Sequence, residues 1–344
     1  MTIESIRSCK DLQLAFKRLE TIFQAEHGTA QADERDALVT LIEAYENEHC
    51  DFGKPDPVAG IGLPGKSPLA GLRSETSAAM TPPAFRRYLG IHYSGAETPD
   101  SGLKNLRVYS ATPDTPPQEV LPPPGPRRYW SRRELAHWLA ELLAGDMPTI
   151  VGIDHALSFP LRYFEVHRLE PDWMVFLEDF HSHWPTGAPH TYVDFILTGA
   201  RGAGAARMGN PRWMRLTDER CRAARSVFQF EGQGKVAAAT HAGLPWILFL
   251  KWRLGERLHV WPFDGWDVPA GKSALVEVRP AMWLDLVPVP ALGVGQKDAF
   301  ATASWLKGAD GSGELSDLLQ PALSLSERVI CGVEGWILGA PVRP

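Results

Sequence analysis

Four side chains in this 344-residue chain combine chemistry-bearing type with a telling position: His92, Asp154, Glu277 and Asp298. His92 closes the apolar run Tyr88-Leu89-Gly90-Ile91, and Asp154 closes Ile150-Val151-Gly152-Ile153. Each sits where a strand leaves the core and meets solvent. Glu277 lies near the end of a third such run, Leu275-Val276-Glu277-Val278, and Asp298 at the start of a helical stretch. Carboxylates on neighbouring strand ends converge although far apart in sequence, and clustered oxygen ligands suit hard divalent cations such as Mg²⁺ or Mn²⁺. Paired ions about 4 Å apart can activate water and stabilise a leaving oxygen in phosphodiester hydrolysis. A neutral imidazole at position 92 brings no negative charge and suits Mn²⁺ or Zn²⁺ better than Mg²⁺, which points to a one-metal site or to His92 as general base.

Alternating elements must position these groups. The pattern predicts strands over 88–93, 106–110, 149–154, 190–197, 258–262 and 274–278. It predicts helices over 131–143, 171–184, 235–254 (through Pro245), 298–306, 314–319 and 325–338, with Ser131 as a cap and Asp298 in a first turn. The proline-rich stretch 112–126 reads as a loop. The fold class expected is α/β, a mixed sheet with flanking helices. Its order of hairpin, helix and strand opens a ribonuclease H-like fold. Upstream, apolar positions at helical spacing over 4–26 and 30–49 predict a small N-terminal helical hairpin. Residues 61–84, rich in Gly, Pro, Ser and Ala, read as a linker to a main domain over 85–340.

Composition narrows the class. A 44% hydrophobic and 22% charged chain is that of a folded globular protein. The net charge of −6 is concentrated at the front, where residues 1–50 hold ten acids and five bases. That segment repels nucleic acid, while the near-neutral remainder leaves room for a basic groove. Four scattered cysteines without a C-x-x-C pair argue against a zinc module or a disulfide framework and for a cytoplasmic protein. No run is apolar enough for a signal peptide or a membrane span.

Other motifs carry less. His155, next to Asp154, belongs in the core or a cap. Arg127, Arg128, Arg132 and Arg133 around Tyr129-Trp130, and Arg212, Arg215, Arg220, Arg222 and Arg225 near Trp213, interleave bases with aromatics in a way that can hold phosphates and stack bases. Gly65-Lys66-Ser67 lacks phosphate-loop spacing, and Lys235 opens a helix without it. The Thr240–Trp246 turn could border the site. No G-x-S-x-G elbow supports acyl-transfer hydrolysis.

Two ordered sets of residues also carry resemblances. Tyr88–Ala96, Val151–Pro160, Val276–Ala281, Lys297–Ala301 and Glu334–Gly339 together resemble a family of predicted ribonuclease H-like nucleases catalogued as a domain of unknown function, over about residues 85–339. The resemblance implies a ribonuclease H-like fold and a metal-dependent phosphodiesterase site on Asp154, Glu277 and Asp298. Where the family motif has a first-strand Asp, this chain has His92. Leu41–His49 and Lys54-Pro55-Asp56-Pro57, with Ile6-Arg7, Asp11, Leu19-Glu20 and Asp33-Glu34 before them, resemble the N-terminal helices of HigA-type antitoxins over 1–60. That family's helix-turn-helix does not follow here, because Gly62–Pro68 cannot form a recognition helix. The expectation is a metal-dependent nuclease or phosphodiesterase with nucleic acid as partner and a protein partner for the N-terminal helices. The rivals are a nucleic-acid-binding protein that no longer cuts and a toxin–antitoxin interaction module.

Overall fold

The chain was analysed as a computed structural model, which describes Ala15, Arg18, Ile22, residues 29–34, 37, 38, 41, 84–125, 127–231 and 236–342. It divides into two compact units, Met1–Pro82 with Ser324–Ser326, and Pro83–Leu323 with Glu327–Pro344. In the first unit Ala15, Arg18 and Ile22 are helical, as are residues 30–34, 37, 38 and 41, and Arg18 pairs with Glu34 at 2.8 Å. The Leu41–His49 and Lys54–Pro57 motifs fall, apart from Leu41, outside the described residues. So do all but the last residue of the 61–84 linker, and Lys235.

The second unit is built on one six-stranded mixed sheet of order β3-β2-β1-β4-β6-β5. Its strands are β1 Arg87–His92, β2 Arg107–Thr112, β3 Thr115–Glu119, β4 Thr149–Ile153, β5 Leu258–Val260 and β6 Ser273–Glu277. β1, β2 and β3 form an antiparallel meander; β4 lies parallel to β1, β6 parallel to β4, and β5 parallel to β6. β3 corrects the reading of 112–126 as a loop. Its Pro116 and Pro117 are tolerated because β3 is an edge strand.

The helices are α1 Arg132–Leu143, α2 Leu161–His167, α3 Trp173–His183, α4 Val193–Leu197, α5 Leu216–Arg220, α6 Val236–Leu254, α7 Val294–Ser312, α8 Glu314–Leu318 and α9 Leu325–Glu334. α1 starts on a capping box between Ser131 and Glu134. α4 replaces the strand expected over 190–197: Tyr192, Phe195 and Ile196 are spaced by three and one, a helical rather than an alternating pattern. α2 and α5, each a turn or two long, have too few residues for a periodic signal.

Alternation along the central strands sorts their side chains onto two faces. Leu89, Ile91, Val151, Ile153 and Leu275 pack in one core with α1, α3 and α6. Tyr88, Ile150, Ala274 and Val276 pack on the other side with α7, α8 and α9. The sheet is thus a middle layer between two helical layers, and the carboxyl ends of β1, β4 and β6 lie side by side.

Candidate metal centre

Gly90 and Gly152 are directly opposite each other across β1 and β4, each two residues before its strand's polar end. Both lack a side chain on the face that carries α7, and the helix fills that trough. A Cβ on Gly90 would meet the Ala299 carbonyl oxygen at 2.1 Å and the Ala303 nitrogen at 2.7 Å; one on Gly152 would meet Thr302 Cγ2 at 2.6 Å. One helical turn before Thr302, Asp298 therefore projects over the strand ends. Gly295, a further turn back, lies against the His92 ring, where a Cβ would sit 2.6 Å from Cδ2. α7 begins at Val294, four residues before the expected start, so Asp298 is in its second turn.

Three of the four predicted side chains meet there. His92 Nδ1 lies 2.5 Å from Asp154 Oδ2 and 3.2 Å from Asp298 Oδ2. The other Asp154 oxygen accepts the Tyr93 backbone N–H at 2.6 Å, which fixes the carboxylate in orientation. One ligand atom from each of His92, Asp154 and Asp298 lies within 4.8 Å of the others, and all three residues are half-buried. One imidazole nitrogen and two carboxylates form a donor set suited to Mn²⁺ and similar divalent ions. Burial works against a charged imidazole, but the charges and hydrogen bonds of Asp154 and Asp298 outweigh it and push His92 up to about 10. Its proton is the cation of this cage, and a metal ion bound through Nδ1 must displace it.

Glu277 is not part of the group. It is the register partner of Ile153, not of Asp154, so alternation sends its side chain to the face of Ile153 and Leu275. There Arg215 grips it with two hydrogen bonds, Nη2 to Oε1 at 2.6 Å and Nη1 to Oε2 at 2.7 Å. Asp218 takes the same guanidinium through Nε and Nη2, both at 2.9 Å, and the Leu157 N–H donates to Glu277 at 3.2 Å. Burial opposes charge on Arg215, but Asp218 and Glu277 hold it protonated. Close by, Glu334 accepts the N–H groups of Leu161 and Leu216 and so ties α2 and α5 to α9. Arg215 is the site residue that sequence reasoning placed in a basic face rather than in the core; the signal was a glutamate inside a buried apolar strand, which needs a buried cation.

The cages open on a cleft of about 340 Å³ that Asp154, Asp298, Glu277 and Arg215 help to line. His155 also borders the cleft, but its side chain is buried, packed edge-on to Tyr93 and above Gly243, with its pKa lowered to about 4 by burial. It is a neutral core residue. Thr240 borders the strand end by accepting the Ala156 N–H, while His241 is buried among aromatic rings. Of the first arginine cluster, Arg132 is buried and donates to the Ser94, Ala96 and Glu97 carbonyls, and Arg133 pairs with Asp100. No helix among the described residues is long and apolar enough to cross a membrane. No protein-family model, curated protein or solved structure matches the chain.

Proposed function

We propose that the chain is a metal-dependent phosphodiester hydrolase acting on nucleic acid, with a ribonuclease H-like arrangement of its sheet. The observation that carries this reading is the meeting of His92, Asp154 and Asp298 at parallel strand ends, beside an open cleft. The antiparallel β1–β2–β3 meander, helix α1, and β4 parallel to β1 support the fold assignment. In this reading Asp154 and Asp298 hold a divalent ion, Mn²⁺ or Mg²⁺, and His92, once the ion's charge has driven off its proton, is the third ligand or the base that takes a proton from the attacking water. The ion would supply Lewis-acid polarisation of a phosphoryl oxygen. Tyr93 N–H holds Asp154 in orientation, and Gly295 leaves the space in which the His92 ring stands.

A second reading is favoured by a specific observation. The Glu277 carboxylate is engaged by Arg215, and the first strand ends in His rather than Asp, so the carboxylates open to a metal number two. That composition suits a protein that holds nucleic acid without cutting it. Labelled single-stranded and duplex DNA and RNA, incubated with Mg²⁺, Mn²⁺ or chelator, separate the two. Metal-dependent cleavage that Asp154→Asn abolishes establishes the hydrolase. Retained binding with no cleavage under any metal establishes the binding protein. His92→Asp raises the rate if the remaining site is a nuclease site lacking one bridging carboxylate.

A further inference from the structure

We propose that Arg225 and Arg279 form a phosphate-binding wall in the same cleft, which makes it a subsite for the phosphodiester of a single strand. The inference rests on the hydrolase reading for the identity of the ligand, and on the two arginines for its charge. Both line the cleft that Asp154 and Asp298 open into. Arg225 is exposed and makes no hydrogen bond or ion pair among the described residues. Arg279 is tethered on one side only: its Nη2 donates to the Ala223 carbonyl at 2.9 Å and the Arg222 carbonyl at 3.4 Å, and no carboxylate among the described residues pairs with it. A guanidinium held by backbone oxygens, with its other N–H groups free, is pre-positioned for an anion and loses little freedom on binding one.

Charge balance points the same way. Four carboxylates (Asp154, Asp218, Glu277, Asp298) and three arginines (Arg215, Arg225, Arg279) line the cleft. Arg215 is shared by Asp218 and Glu277, and Asp154 and Asp298 face His92, which leaves Arg225 and Arg279 as the cleft's cations without a carboxylate partner among the described residues. A volume of about 340 Å³ is at the small end of ligand sites, roughly 300–1,000 Å³, and admits a nucleotide-sized group rather than a duplex. The remaining wall, Val278, Ala281, Leu284 and Ile337, is apolar and could face a sugar or base.

The test is calorimetric binding of a 5′-phosphorylated thymidine dinucleotide across a salt series, in chelator and again with Mn²⁺. Arg225→Ala and Arg279→Ala are each expected to weaken binding roughly tenfold, the loss of one charge-assisted contact. Each should also lower the slope of log affinity against log salt by about 0.7. Arg279→Lys, which keeps the charge but not the tether, should retain the slope. Unchanged affinity and slope in both alanine variants overturn the inference, as does absence of dinucleotide binding or tighter binding of inorganic phosphate. Metal-dependent cleavage unaffected by either arginine overturns the phosphate wall and leaves the hydrolase standing. Arginine-dependent binding without cleavage under any metal does the reverse.

Discussion

His92 holds a proton between two carboxylates, and this has a consequence for stability. Its pKa is pushed up to about 10 in the fold, from about 6.5 in an unfolded chain. The stabilisation is therefore fully present below pH 6.5 and is lost as pH rises through 10. We expect His92→Gln to cost about 1.5–3 kcal/mol at pH 6, the range of hydrogen bonds to charged groups, and close to nothing from this pair above pH 10. Denaturant unfolding of both proteins at the two pH values reads the difference; an equal cost at both contradicts a protonated imidazole. Gly295 offers an independent probe. A methyl group there would stand 2.6 Å from His92 Cδ2, so Gly295→Ala should turn the ring away from Asp298 and weaken Mn²⁺ binding more than it lowers the melting temperature. Equal metal affinity would show that the ring has room to spare. On the far side, Arg215→Met leaves Glu277 and Asp218 buried without their cation and should cost roughly 3–5 kcal/mol, read by chemical denaturation.

At the scale of elements, the site depends on how closely α7 approaches the sheet. The helix rests on Gly90 through its own backbone, and on Gly152 through the Thr302 and Leu306 side chains, with Val278 beside them. Side chains can shift where a backbone cannot. Gly90→Ala should therefore destabilise by at least the roughly 1–3 kcal/mol of an overpacked core, more than Gly152→Ala, and both should weaken metal binding by lifting Asp298. Thermal unfolding with and without Mn²⁺ ranks them; the reverse order contradicts this packing. Much of this was legible beforehand. β1 and β4 were readable as apolar runs ending in His92 and Asp154, because a strand that ends at the sheet's rim carries its own signature. The start of α7 was not: Leu292-Gly293-Val294-Gly295 has the composition of a turn, and the close approach of the His92 ring and the Asn105 carbonyl explains a glycine inside its first turn. The separation of Glu277 from the other acids was hidden for a similar reason. Its face is set by the pairing of β6 with β4, a long-range register that local alternation does not encode.

Across the whole second unit, the parallel β1, β4 and β6 bring their carboxyl ends to one rim, and the cleft lies at that rim. Open α/β sheets bind ligands at this end of their strands. The α/β class and the mixed sheet were readable from the order of elements; the edge strand β3 and the short helices were not, because prolines and five-residue turns carry no period. At this rim His92, Asp154 and Asp298 are placed to hold one divalent ion, an assignment open to direct measurement. It is tested most directly by titrating chelator-stripped protein with Mn²⁺ in a calorimeter, in buffers of different ionisation enthalpy. One ion per chain is expected to bind with release of about one proton, with affinity rising about tenfold per pH unit between pH 7 and 9, and binding is expected to be lost in Asp154→Asn and Asp298→Asn. Binding that survives both substitutions, or no binding by the native chain across that pH range, contradicts it.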